Sequence, residues 1–329
     1  MMPIFYLLVF ILFIVAMQVY FKIADRYNII DHPNERSSHA EITIRGAGII
    51  FLFAVVVATV CHTRYWIPGL GALTIGAISF LDDRLTLSNR IRLLCHLIAV
   101  TLIFIFLHIF GSFPPYVVAA LYIMVIGIIN MYNFMDGING IMGGYTLVIL
   151  AGLQYINLYR VNFIDADMIW LPLLACMVFL FYNFRHKARC FAGDVGSVSV
   201  AFWLTFLILK LIFLTHNWAY ILFMVVYGID SVMTIAHRLL LKQNIFKAHR
   251  LHFYQLLANE HRVSHLLISS CYALLQGGII CLIIFARGFS TAGLFAVSIL
   301  PLMAVYLIVK PILMHKRDSR QQIRTGATQ

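Results

Sequence analysis

Charge is what this sequence has least of. Only 11% of its 329 residues are Asp, Glu, Lys or Arg, while 62% are apolar; soluble domains run at about 25% and 45–50%. A water-soluble chain of this length cannot hide so much apolar surface, whereas a bilayer accepts helices of about 20 apolar residues. Acid is scarcer than base, and the formal charge is +11. In a soluble domain that excess would suggest nucleic acid. In a membrane chain it reads as insertion bias, because Lys and Arg collect in cytoplasmic loops, so no nucleic-acid partner is expected. Cysteine is sparse too: the six, at 61, 95, 176, 190, 271 and 281, include no C-x-x-C pair. That argues against a disulfide framework and a zinc site. The first apolar run has no Lys or Arg before it and no small-x-small site before Lys22, so it is read as a retained span, not a cleaved signal.

What is present is a series of apolar runs, at about 3–22, 44–62, 66–81, 92–110, 115–131, 138–158, 168–184, 198–215, 218–236, 266–286 and 290–313. They predict an all-α polytopic integral membrane protein of about 11 transmembrane helices. Loops after odd-numbered spans, with the tail, hold nineteen Lys and Arg; the other side holds three, Arg64, Arg160 and Arg287. The asymmetry predicts an outside N-terminus and a cytoplasmic C-terminus. Residues 1–329 are read as one transmembrane domain, with cytoplasmic loops at about 23–43, 82–91, 132–137, 185–197 and 237–265 and a tail at 314–329. Ten of the thirteen acids fall on that face; Asp165 and Asp167 fall outside, and Asp230 lies within a span.

Several constellations on the cytoplasmic side can carry chemistry. Asp82 and Asp83, in FLDDR, are adjacent carboxylates at a helix C-terminus, where they repel each other and oppose the macrodipole unless a cation is near. A solvated helix end is the plain alternative. In INMYNFMDGINGI, Asn133 and Asp136 stand one helical turn apart, in a loop with no Lys or Arg; a simple turn is the alternative. NFRHKARCFAGDVGSVS sets Arg185, Lys187 and Arg189 before Gly193-Asp194-Val195-Gly196-Ser197, an acid between glycines where backbone approaches a phosphate or metal closely. KAHRLHFYQ supplies His249, Arg250 and His252, open to phosphate binding, zinc or a solvated basic surface. DHPNERSSH followed by Arg45-Gly46-Ala47-Gly48 is equally open between ligand binding and plain loop. Lys210 is expected to snorkel to the outer interface, and Asp230 shares a helix face with Arg238.

Taken in order, DHPNERSSH…RGAG, FLDDR, NMYNFMDGING, NFRHKARCFAGDVGS, Asp230 with Arg238, and HRLHFYQ resemble the polyprenyl-phosphate N-acetylhexosamine-1-phosphate transferases, glycosyltransferase family 4. The resemblance runs from about Asp31 to Gln255. It implies transfer of a sugar 1-phosphate from a UDP-sugar to undecaprenyl phosphate, releasing UMP, with magnesium required and manganese able to substitute. By motif position, Asp82 and Asp83 match the family's catalytic acidic pair, Asn133, Asp136 and Asn183 its substrate-binding positions, and Asp194 its magnesium ligand. His249, Arg250 and His252 fall where several members have a histidine cluster. The chain departs from the family where that cluster reads HRLH, where Asn139 replaces an Asp, and where Ile42, Ile44 and Ala47 replace Pro, Pro and Gly.

The His-Arg-x-His-x-Tyr-Gln form is most similar to O-antigen initiators that load N-acetylfucosamine or N-acetylquinovosamine phosphate. A GlcNAc-1-phosphate transferase of teichoic-acid or common-antigen synthesis and the peptidoglycan translocase are the enzymatic alternatives. The resemblance implies a multi-pass protein of the bacterial cytoplasmic (inner) membrane, with membrane lipids as neighbours; homodimerisation is left open. The acidic pair is expected to act as base or as covalent nucleophile. A transporter or flippase of lipid-linked sugars is the competing class, but transporters place such groups near mid-membrane, and these acids gather at one boundary. A catalytically dead scaffold is expected to have lost some of them.

Overall fold

The computed structural model describes residues 2–31, 42–85, 87–244, 249–286 and 288–326, with side chains between Pro3 and His315. Residues 32–39 of DHPNERSSH, Lys247 and Ala248 of the HRLH loop, and Arg287 lie outside the described residues. Helices α1 (Met2–Arg26), α2 (Ile49–Cys61), α3 (Trp66–Leu85), α4 (Asn89–Phe106), α5 (Ile109–Ser112), α6 (Pro115–Phe134) and α7 (Ile141–Tyr159) form the first part. They are followed by α8 (Asp167–Asn183), α9 (Gly193–Thr215), α10 (Val225–Leu240), α11 (Phe253–Gln255), α12 (His265–Phe285) and α13 (Thr291–Gly326). A 3-10 segment, Trp218–Met224, leads into α10. Strands β1 (Ile30–Asp31) and β2 (Thr43–Ile44) pair antiparallel.

Among the described residues, eight helices are long and apolar enough to cross a membrane, and Ile49–Cys61 and Asp167–Asn183 are shorter apolar helices. The chain is an all-α polytopic membrane protein. Its predicted spans find helices, with shifted ends. The second begins at Ile49, not 44, because Thr43 and Ile44 are spent on the β1–β2 pair. The eighth begins at Gly193, five residues early, because the glycine-rich segment joins the helix and does not precede it. Pro115 at the first helical position starts α6 after extended Pro114, and the Ser88 hydroxyl accepts from Ile91 N to cap α4.

Helix α9 is enclosed by its neighbours: 78% of its most apolar window is buried, against 28% in α1 and 17% in α13. The outer helices therefore present apolar side chains to lipid, and α9 carries the core. Beside it, the Tyr145 and Tyr227 rings stack in parallel at 3.6 Å. Gln276 Oε1 accepts from Tyr145 Oη at 2.5 Å and from Val226 N at 3.2 Å. This buried amide ties α7, α10 and α12 together with its polar atoms satisfied, as buried polar groups require.

Candidate functional site

The approaches to α2 and α9 run side by side at one end of the bundle. Phe191 N donates to Ile44 O (2.8 Å), Ala47 N to Phe191 O (3.0 Å) and Gly48 N to Ala192 O (3.0 Å). Glycine makes this approach possible. A Cβ on Gly48 would lie 2.2 Å from Gly196 Cα, and Gly193, at φ +69°, would drive one to within 2.6 Å of Asp83 Oδ2. The paired segments hold Arg45 over the last turn of α3.

Asp83 receives that arginine. Its side chain is 2% exposed, and it accepts from Arg45 Nε (2.8 Å), Asp194 N (3.1 Å) and Val195 N (3.1 Å), with Arg45 Nη2 paired to it at 2.7 Å. Two donors belong to the first turn of α9, where orphan N–H groups and the helix dipole favour an anion. Arg45 Nη2 also lies 3.5 Å from Asp194 Oδ1, and Nη1 3.8 Å from Asp31 Oδ1. Asp83, Asp194 and Asp31 hold the guanidinium in its charged form although burial works against it.

Asp82 takes a different partner. It accepts from Arg92 Nη1 at 3.0 Å and Leu87 N at 2.6 Å, closing the turn into α4. Adjacent helical residues point about 100° apart, so the expected repulsion is resolved by giving each acid its own arginine.

Asn133, in the last turn of α6, accepts from Ser197 Oγ at 2.6 Å and hydrogen-bonds the Asp194 side chain. Asp136 follows the helix end and faces the same acids. Burial pushes its carboxyl up to about 7, with Asp194 and Asp83 acting in the same direction and Arg45 opposing. Asp83, Asp136, Asp194 and Asn133 are thus brought together. Asn183 is not part of that cluster: buried, it accepts from Gly140 N (2.7 Å) and donates to Cys190 O (2.8 Å). It fixes the backbones around the site. Asn139 similarly donates to the Arg185 and His186 carbonyls.

The HRLH loop docks against the turn that carries Asp136. Tyr254 Oη donates to Phe134 O at 2.9 Å, and the His252 ring lies 6.4 Å from that of Phe134. Asp230 organises the loop, accepting from Phe253 N (2.8 Å), Tyr254 N (3.4 Å) and Tyr272 Oη (2.7 Å), with His252 Nδ1 at 3.5 Å. Asp230 and Arg238 are both buried on helix α10. Arg238 Nη2 turns to Asn244 O at 2.5 Å, because the chain after α10 folds back and brings the loop's own N–H groups to the carboxylate. Burial, with His252, Arg238 and Lys310 nearby and Asp230 opposing, pushes the His249 imidazole down to about 4. The buried His252 side chain also caps α11, accepting from the Gln255 backbone N–H.

Two of the basic residues before Gly193 serve structure: Arg185 lies over the Phe181 ring at 4.7 Å and Arg189 over Phe21 at 4.6 Å. Lys210 Nζ sits 5.5 Å from the Phe106 ring centre, within electrostatic reach of Arg64 and Asp165. The two acids expected outside, Asp165 and Asp167, lie with His62, Arg64 and Tyr6 at the opposite end of α3 from Asp83. Arg45 is the main residue that motif reading left unassigned. Its signal was the RGAG string, whose glycines are those that let the two segments touch.

Among the described residues, no three His, Cys, Asp or Glu side chains converge as a metal cage. Asp136 and Asp194 nonetheless lie within electrostatic reach of each other and share one guanidinium with Asp83. Magnesium is held by one or two carboxylates completed by waters and substrate phosphates, and this donor pair fits that pattern.

The glycosyl transferase family 4 profile matches residues 65–212, the stretch that holds Asp83, Asn133, Asp136 and Asp194. The chain is thus similar to glycosyl transferase family 4, the polyprenyl-phosphate N-acetylhexosamine-1-phosphate transferases. A Bacillus subtilis relative, a probable undecaprenyl-phosphate N-acetylglucosaminyl 1-phosphate transferase, is 26% identical over 272 residues, 75% of each chain. The Escherichia coli K12 undecaprenyl-phosphate alpha-N-acetylglucosaminyl 1-phosphate transferase is 26% identical over 210 residues, 57% of each chain. A Caldicellulosiruptor bescii phospho-N-acetylmuramoyl-pentapeptide-transferase is 26% identical over 194 residues, 51% of this chain and 60% of its own. These relatives are transferases by name, and the apolar helices make this chain a multi-pass membrane protein.

Proposed function

We propose that the chain transfers an N-acetylhexosamine 1-phosphate from a UDP-sugar to undecaprenyl phosphate, releasing UMP, on the cytoplasmic face of a bacterial inner membrane. The observation that carries this reading is the cluster of Asp83, Asp136 and Asp194 around Arg45, at one end of the bundle and joined to the HRLH loop through Tyr254 and Phe134. Eleven spans with the N-terminus outside would put this end in the cytoplasm, where the Lys and Arg excess lies.

Donor diphosphate and acceptor phosphate are both anionic, so the reaction is limited by repulsion as they approach in line. Magnesium, held by Asp194 and Asp136, would supply charge neutralisation at the diphosphate. Arg45, with its charge held by three acids, faces the same space. An oxygen of the lipid phosphate forms the new bond to the sugar-bearing phosphorus as the bridging P–O bond breaks and UMP leaves. That phosphate is largely ionised near neutral pH, so little proton removal is needed. Asp83 has its carboxylate taken up by Arg45 and by the backbone N–H groups of Asp194 and Val195. We assign it to aligning Arg45 with the start of α9, and Asp82 to the α3–α4 turn.

The HRLH form favours a 6-deoxy-N-acetylhexosamine of O-antigen initiation; the relatives' names favour N-acetylglucosamine. Incubating the purified full chain with magnesium, undecaprenyl phosphate and a panel of UDP-sugars separates these. Release of UMP with one N-acetylhexosamine donor is expected. No UMP with any donor, or release of UDP instead, would overturn the proposal.

A further inference from the structure

Helix α13 looks at first like a lipid-facing helix, yet it sends an ammonium inward. Lys310 is 2% exposed. Its Nζ donates to Thr234 Oγ1 at 3.1 Å and to Tyr306 Oη. Thr234 Oγ1 lies 2.8 Å from Tyr306 Oη and 3.4 Å from both Asp230 Oδ1 and Leu251 O. Lysine has only donors, so the threonine accepts from it and can direct its own hydrogen to the carboxylate or to the loop carbonyl.

A charged side chain turned into the protein from a membrane helix is costly and marks a functional arrangement by default. Here the cost is offset by Asp230, within electrostatic reach of the ammonium. Asp230 is the group that takes the backbone N–H of Phe253 and Tyr254. A continuous polar chain therefore runs from Lys310 through Thr234 to Asp230 and into the HRLH loop, with a second branch reaching Leu251, between Arg250 and His252.

We propose that Lys310 is a positioning residue: acting through Thr234 and Asp230, it fixes the His249–His252 loop in the conformation that grips the donor's diphosphate, which makes α13 part of the transfer site. The gripping role rests on the proposed reaction; the positioning does not. A lysine that merely neutralised Asp230 would stabilise the fold without setting the loop's geometry.

The test uses the full chain in lipid nanodiscs, with Lys310→Met, Thr234→Val and the double variant. Two quantities are read: amide exchange at Phe253 and Tyr254, and the split between KM and kcat for the UDP-sugar. Each single variant is expected to speed exchange at those amides about tenfold, and to raise donor KM by about as much with kcat changed little. The double variant should be no worse than the more severe single one, because both act on one chain of contacts. Thr234→Val, nearly isosteric, carries the test if Lys310→Met fails to fold. Unchanged exchange at Phe253 and Tyr254, or additive effects in the double variant, would overturn the positioning. Should the unmodified protein release no UMP, the reaction falls and the exchange measurement still decides the positioning.

Discussion

Arg45 and Asp83, thirty-eight positions apart, are joined by a 2.8 Å hydrogen bond from Nε and a 2.7 Å ion-pair contact from Nη2, both to Oδ1, and the same guanidinium reaches Asp194 at 3.5 Å. One cation thereby sets the spacing of acids from two helices. Arg45→Lys keeps the charge but cannot reproduce the two-pronged grip. We expect it to lower turnover at least about tenfold, with helix content unchanged by circular dichroism. Arg45→Met leaves a buried carboxylate unpaired and should lower stability by about 3 kcal/mol, the low end of such losses because Arg45 is itself partly exposed. Thermal melts of both variants beside the parent check this.

Asp194→Asn should keep the fold and nearly abolish transfer. The amide still fits the first turn of α9, but it is a poor magnesium ligand and leaves diphosphate charge uncompensated. The expected loss is a few hundred-fold, about 3–4 kcal/mol of transition-state stabilisation. Turnover of the folded variant across a magnesium titration measures it; near-parental turnover would remove Asp194 from the metal role.

Gly48→Ala tests the backbone contact that delivers Arg45. Its methyl would meet Gly196 Cα at 2.2 Å, backbone against backbone, so the starts of α2 and α9 must separate. A loss of about 1–3 kcal/mol in stability is expected, together with loss of activity. Gly127→Ala, with nothing within 4 Å of the added carbon, should change neither.

Acid should weaken the protein through His249. Its imidazole is pushed down to about 4 in the fold, chiefly by burial, and titrates near 6.5 when unfolded. Above about 6.5 the ring is neutral in both states, and its stability contribution is complete. As pH falls from there toward 4 the unfolded chain binds the proton and the folded one does not, so stability declines. His249→Asn should flatten melting temperature over that window; an unchanged slope would show that His249 does not cause it.

Much of this site was legible because its chemistry sits in short contiguous strings. Asp83, Asp136 and Asp194 each stand out by residue type against apolar flanks, and the structure gathers them at one end. Arg45 was harder, since nothing local says that a loop arginine will cross to α3; that follows from glycines at 48 and 196 meeting across the fold. Asp230 and Arg238 share a helix, but the donors that organise the Asp230 carboxylate are the Phe253 and Tyr254 N–H groups, which nothing local in the sequence marks. Asn183 was found by its motif, while its use depends on two backbone groups, Gly140 N and Cys190 O, that carry no mark in the sequence. Lys310 looked like part of an apolar run, and only packing shows which way it turns.

The most direct measurement follows the phosphorus. Purified protein is given magnesium, undecaprenyl phosphate and a UDP-N-acetylhexosamine carrying labelled phosphorus only in the phosphate next to the sugar. The label is expected to move into the lipid fraction while unlabelled UMP accumulates. Sugar transferred with the label left behind in UDP, or no label in lipid with any N-acetylhexosamine donor, would contradict it.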